Sequence, residues 1–254
     1  MQLPTTTSKA KSLNPRKLFI YSHAKRGKTS AIVQLKNCLL IDLQSGASFV
    51  EGMIVDVVEE SLVNSKHPLD ILLRVEKLLC ETDFKYDYIC IDTASQLEDL
   101  AIEMGTRTFK LSSLGKNSQG VKDVTRELAN GAGYAWVREA FIELINRISR
   151  HAVKCFILTG HSKLVSSGKK EDALDVMDVN LTGKIKHYVL QEFDANATGI
   201  REGNKFYLNF QTSEENLAMG NRSPHLSNQK VLISEMTELG LQTYWDKVFI
   251  DEPG

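Results

Sequence analysis

Short apolar runs alternate along this chain with longer segments whose apolar residues recur at helical spacing, the pattern of a mostly parallel sheet covered by helices. The first run, KLFIYS at 17–22, leads into a helix that starts near Gly27 and turns Ile32, Val33 and Leu35 toward a core. A second run, CLLIDL at 38–43, is followed by IVDVVEESL, which reads as a short strand. From Pro68 to Thr82, Ile71, Leu72, Val75, Leu78 and Leu79 share one helical face, and Pro68 suits a first helical turn. YDYICIDT at 86–93 is apolar enough for a buried strand, with a helix expected from Thr93 to Met104.

The pattern turns polar between Gly105 and Gly131, so SSLGKNSQGVKD reads as a surface excursion. Residues 134–152 then show amphipathic helical spacing through Trp136, Val137, Ala140, Phe141, Leu144, Ile145 and Ile148 and lead into a strand, VKCFILTG. SKLVSSGKKEDALDVMD is expected to be an exposed loop. HYVLQEFDANATGI and NKFYLNFQT read as hairpin material, with Gly203-Asn204 as the turn. Residues 1–14 are polar and carry Pro4, with Pro15 just beyond, so they are expected to form a flexible N-terminal arm before a single domain at 15–254.

Composition narrows the class further. Thirty-one Lys and Arg against thirty-two Asp and Glu give a net charge of −1, so any contact with nucleic acid must be local. The four cysteines are far apart, with no CxxC pair, and read as buried, reduced thiols. Neither a leader-like apolar segment nor a membrane-spanning run is visible, and a cytoplasmic setting without membrane contact is expected.

The chemistry concentrates in Ser22, His23, Ala24, Lys25, Arg26, Gly27, Lys28, Thr29 and Ser30, read against the phosphate-loop pattern G-x-x-x-x-G-K-[ST]. Only Ser22 departs from it. The glycine at 27 lets the backbone approach phosphates, Lys28 reaches the β and γ oxygens, and the Thr29 hydroxyl joins a magnesium shell. Backbone NH groups opening the next helix supply an anion site. An acidic residue ending a buried strand is needed to complete the metal site, and Asp92 in YICID fits. ATP with magnesium is the expected ligand.

In order, SHAKRGKTS, CLLIDLQSGA, YICIDTASQLEDL and CFILTGHSK resemble the RecA-like ATPases, specifically the small phage-type single-strand annealing ATPases related to the RecA and RadA core. The likeness covers most of residues 16–250, with NFQT and AMGNRSPHL also similar. It implies a RecA-like P-loop core of α/β class, a mostly parallel central sheet flanked by helices with a C-terminal β-hairpin extension. It further implies that His161 is a polar sensor of the γ-phosphate and that Arg222 is a finger presented to a neighbouring copy's nucleotide, in a homo-oligomer. Gly220 stands where relatives carry the finger's lysine. In RecA-like enzymes a glutamate follows the second strand and polarises the attacking water, whereas this chain has Gln44, which can orient water but not take its proton at neutral pH. Binding is therefore better supported than turnover, and slow hydrolysis is expected.

Two basic, Gly/Ser-containing segments suit tracking of a nucleic-acid backbone: one with Lys116 and Lys122, the other with Lys163, Lys169 and Lys170. They lack interleaved aromatics, and by residues alone they read as ordinary solvated loops, the DNA reading coming from the resemblance. The resemblance implies an ATPase that assists single-stranded DNA annealing, recombination or replication in a cytoplasm, the host's if phage-encoded. A weakly active or inactive nucleotide-dependent scaffold or loader for replication and recombination proteins is the rival, and a DnaB-like helicase motor the third option.

Overall fold

In a computed structural model that describes residues 3, 5, 10, 12–167, 174–212 and 220–251, the strands and helices follow one another much as the hydrophobic pattern implies. β1 (Lys17–Ser22) runs into α1 (Lys28–Ile32), followed by β2 (Cys38–Asp42), β3 (Met53–Asp56), α2 (Val57–Val63) and α3 (Pro68–Glu81). Next come β4 (Tyr88–Asp92), α4 (Ala94–Leu111), α5 (Val124–Glu127), α6 (Gly133–Ser149), β5 (Cys155–Ser167) and β6 (Leu174–Val179). After α7 (Gly183–Glu192) the chain continues as β7 (Ala195–Glu202), β8 (Lys205–Asn209), β9 (Gly220–Asn221), β10 (Lys230–Thr237) and β11 (Gly240–Thr243).

The strands lie in the order β11-β10-β8-β7-β1-β5-β4-β2-β3, with β6 paired to β5 and β9 to β7. All neighbours from β3 across to β7 are parallel, and β8, β10 and β11 extend the sheet antiparallel. This is the mostly parallel core with a C-terminal hairpin extension anticipated above. Strand alternation divides the core. Phe19, Tyr21, Leu39, Ile41, Ile89, Ile91, Phe156 and Leu158 pack with α3, α4, α6 and α7, while Leu18, Ile20, Leu40, Cys90 and Ile157 pack with α1, Trp245 and Val248 on the other face. Each such large side chain taken fully out of water contributes about 1.5–3 kcal/mol, which is what commits these runs to the centre of a two-sided sheet.

Several expectations need correction. IVDVVEESL is a strand only as far as Asp56. Its remainder is α2, because the Asp56 carboxylate accepts from the Glu59 amide and caps a helix there. Leu78 lies off the buried face of α3 and is half exposed. The helix begun at Ala94 continues past Met104 to Leu111, where Phe109 packs edge-on against Trp136. The expected loop after Gly160 is instead a hairpin, since β5 runs on to Ser167 and pairs antiparallel with β6. HYVLQEF is helical rather than a hairpin strand, with Ile185 and Val189 one turn apart and both buried. Beyond it the Gly203-Asn204 turn joins β7 to β8 as expected, with Glu202 opposite Lys205 and Gly203 at φ +59°.

At the N-terminus, the Asn14 side chain donates to the Ile250 carbonyl and accepts from its amide, at 2.7 and 2.9 Å. The expected arm is thus tied down at its last residue. Of the cysteines, all free, Cys38, Cys90 and Cys155 are buried and Cys80 is exposed. Among the described residues no helix is long and apolar enough to cross a membrane.

Candidate nucleotide site

The parallel strands end together, and β1 leads directly into the loop 23–27. Gly27 sits at φ +100°, a left-handed conformation, and a Cβ there would stand 3.2 Å from the Arg201 guanidinium, so both backbone and space call for glycine. α1 is short, and Leu35 packs in the core just beyond it. At its first position Lys28 is only 6% exposed, with Nζ donating to Ser22 Oγ at 2.9 Å and to the His23 carbonyl at 3.3 Å. Burial pulls this ammonium below the ordinary lysine value, and the Asp92 carboxylate opposes the shift. Ser22, the one departure from the loop pattern, ends β1 in extended conformation and gives the lysine an oxygen partner. Lys25, at φ +59°, and Arg26 are exposed on the outside of the loop, beside Ala24. His23 and Ser30 are half-buried.

Asp92, at the end of β4, is 3% exposed, and both of its oxygens accept hydroxyl protons: Oδ2 from Thr29 at 2.7 Å and Oδ1 from Thr159 at 2.5 Å. Thr159 belongs to β5, the strand between β4 and β1, and was not singled out in the sequence. It was findable as the lone hydroxyl in the apolar run CFILTG. The peptide after Asp92 is cis. His161, two residues beyond Thr159 on β5, lies opposite Ser22 in the β1–β5 register. Burial and then the Lys28 charge lower its pKa, against a smaller pull from Asp92.

Asp42 was also missed. It ends β2 directly opposite Asp92 in the β2–β4 register and is 1% exposed. Its Oδ1 accepts from the Gln44 amide at 2.9 Å and its Oδ2 from the Ala47 amide at 2.7 Å. Burial raises its pKa, the two amides oppose, and the neighbouring Asp92 and Asp56 add to the rise. Asp42 therefore ties down the turn that carries Gln44, which itself is exposed at the carboxyl edge of the sheet.

Other expected residues lie elsewhere. Arg222 donates to Asp194 Oδ1 at 3.2 Å and to the Gln191 carbonyl at 2.8 Å. Asp194 Oδ2 in turn accepts from the amides of Arg16 and Lys17, where β1 begins. A six-residue strand, about 20 Å long, separates that end from the phosphate loop. Within one chain Arg222 is not part of the site. Lys116 is exposed in a turn organised by Gln119, whose amide donates to the Lys110, Gly115 and Lys116 carbonyls. The Lys122 amide is held by Glu127 at 2.8 Å. Lys163 is exposed at the start of the β5–β6 hairpin, while Lys169 and Lys170 lie outside the described residues.

A buried lysine opening a helix after a glycine-bearing loop, with a hydroxyl and a strand-end carboxylate beside it, defines a P-loop core. The chain belongs to the AAA domain family, whose model matches residues 14–223. Among solved structures it is similar to the crystal structure of the RadB recombinase, with a TM-score of 0.44 at 9% identity over 91% of this chain and 92% of that one. None of the curated proteins matches it.

The donor set fits the expected ligands. Thr29 Oγ1 and Asp92 Oδ2 are hard oxygens 2.7 Å apart, of the kind that binds magnesium directly or through its waters. The buried Lys28 ammonium and the glycine-formed loop suit a polyphosphate.

Proposed function

We propose that this protein is an ATP- and magnesium-binding ATPase that assists single-stranded DNA annealing, recombination or replication, with slow hydrolysis. Support comes chiefly from Lys28, a nearly buried cation held against Ser22 and the His23 carbonyl, within the field of Asp92. Such a charge is costly to desolvate without an anion to meet. In this reading Lys28 and the amides of Gly27 to Ser30 hold the phosphates, and Thr29 and Asp92 hold the metal. Magnesium, when bound with the nucleotide, neutralises charge on the phosphate oxygens. His161 stands as a hydrogen-bonding sensor at the carboxyl end of β5, and Gln44, its turn fixed by Asp42, orients water by hydrogen bonding without taking a proton. Arg222 serves as a finger only toward a second copy, and Lys116, Lys122 and Lys163, with Lys169 and Lys170, form the basic path for DNA.

The amide at Gln44 also favours a second reading, a nucleotide-dependent scaffold or loader with little turnover. Titrating single-stranded DNA at several salt concentrations, with and without MgATP, separates the two. Salt-sensitive binding strengthened by MgATP supports the annealing role, and no binding at low salt in either state removes it. Calorimetry with Lys28→Met tests the site itself, and unchanged MgATP affinity would reject it.

A further inference from the structure

β1 has two neighbours, and Thr159 and His161 flank the phosphate loop from one of them, β5, with Asp92 just beyond on β4. On the other flank, β7 pairs with β1 through Thr198 opposite Tyr21 and then continues past the end of that pairing. Three residues on stands Arg201. Its Nε donates to the Gly203 carbonyl at 3.2 Å, an anchor formed by the β7–β8 turn itself. One guanidinium nitrogen, Nη1, then lies 3.2 Å from the point where a Cβ on Gly27 would stand. The side chain thus leans over the part of the loop that lacks side-chain cover.

Several cations lie on or beside this loop. Arg201, Lys25, Arg26 and Lys28 take part in no salt bridge among the described residues, while Glu202, the residue after Arg201, pairs with Lys230. Arg201 and the buried Lys28 thus meet the same loop, with Lys25 and Arg26 exposed on its outside, and a guanidinium carries several donors suited to phosphate oxygens.

We infer that Arg201 is a second phosphate-binding residue, acting in the same chain from the β7 flank on the phosphates shared by ADP and ATP. This rests on the nucleotide reading above. It is distinct from the Arg222 finger, which needs another copy, and from the groups on the β4 and β5 side that face the terminal phosphate. Because the side chain is exposed and, among the described residues, hydrogen-bonds only to its own turn, Arg201→Ala is expected to leave the fold intact.

The test is calorimetric titration of the wild-type chain, Arg201→Ala, Arg201→Lys and Lys28→Met with MgADP, MgATP and adenosine. A charge-assisted contact predicts that Arg201→Ala weakens MgADP and MgATP alike, by about tenfold or more, with adenosine binding unaltered and Arg201→Lys recovering part of the loss. Unchanged MgADP and MgATP affinity in Arg201→Ala, together with a loss in Lys28→Met, overturns this inference and leaves the nucleotide reading standing. Equal weakening of adenosine overturns the phosphate assignment. If Lys28→Met also binds like wild type, the nucleotide reading fails and this inference with it.

Discussion

The Thr29 hydroxyl donates to Asp92 Oδ2 over 2.7 Å, joining residues 63 positions apart at the carboxyl edge of the sheet. Thr159 occupies the other oxygen of the same carboxylate, so Asp92 is oriented from two sides. Asp92→Asn keeps the size but removes one acceptor and the charge. The expected outcome is that the gain in ATP affinity on adding magnesium falls by about 10–100-fold, the range for disrupting the support of a metal site. Titrations with and without magnesium measure it, and an undiminished gain would exclude Asp92 from the metal site.

Gln44 is the cheapest place to change the chemistry. Gln44→Glu supplies a group able to accept a proton where only an amide stands, and general-base catalysis contributes about 100- to 10,000-fold when well placed. At least a tenfold rise in phosphate release per chain is expected. Asp42→Ala, which frees the Gln44 and Ala47 amides, should erase that gain in the double variant. A Gln44→Glu rate no higher than wild type counts against any water-orienting role at this position.

Gly199 is a packing requirement beside the site. A Cβ there would come within 2.9 Å of the Phe206 ring and 3.2 Å of Ser22 Cβ. Phe206 is 2% exposed and cannot swing aside cheaply. Gly199→Val is therefore expected to cost about 1–3 kcal/mol by overpacking, read from urea denaturation. A midpoint equal to wild type would show that the hairpin yields more readily than its burial implies.

Glu76 links α3 to the end of α6. Its carboxylate, 7% exposed, meets Arg147 at 3.0 Å and Arg150 at 2.6 Å. Burial pushes its pKa up, but the hydrogen bonds from Arg147 and Cys80 and the two guanidinium charges outweigh that, and the net shift is downward. A depressed carboxylate contributes stability that is present above its unfolded value of 4.5 and lost as pH falls through the folded value. Glu76→Gln should accordingly destabilise at pH 7 by about 1–2 kcal/mol, discounted because Arg150 is more than half exposed, and the difference from wild type should shrink below pH 4.5. Denaturation midpoints at pH 7 and pH 4 test this, and a difference that grows on acidification would reverse the assigned sign.

What the sequence determined by itself is the local part of this protein. The strands at 17–22, 38–42 and 88–92, the amphipathic helix of 134–149 and the loop from Ser22 to Ser30 are all legible, because periodicity and backbone geometry act between near neighbours. Misreadings arose where local preference was outvoted. His187, Tyr188 and Val189 look strand-like, yet burial of Ile185 and Val189 on one face makes a helix. Leu164 and Val165 look like a loop until Met177 and Val176 pair with them.

Only the tertiary structure decided which distant residues meet. It brought Thr159 and Thr29 to Asp92, set Asp42 beside Asp92, leaned Arg201 over Gly27 and held Arg222 at the far end of the sheet. The reason is strand order. β5, distant in sequence, lies between β1 and β4, and β7 closes the other side of β1, so the surroundings of the phosphate loop are set by sheet pairings that no run of adjacent residues encodes.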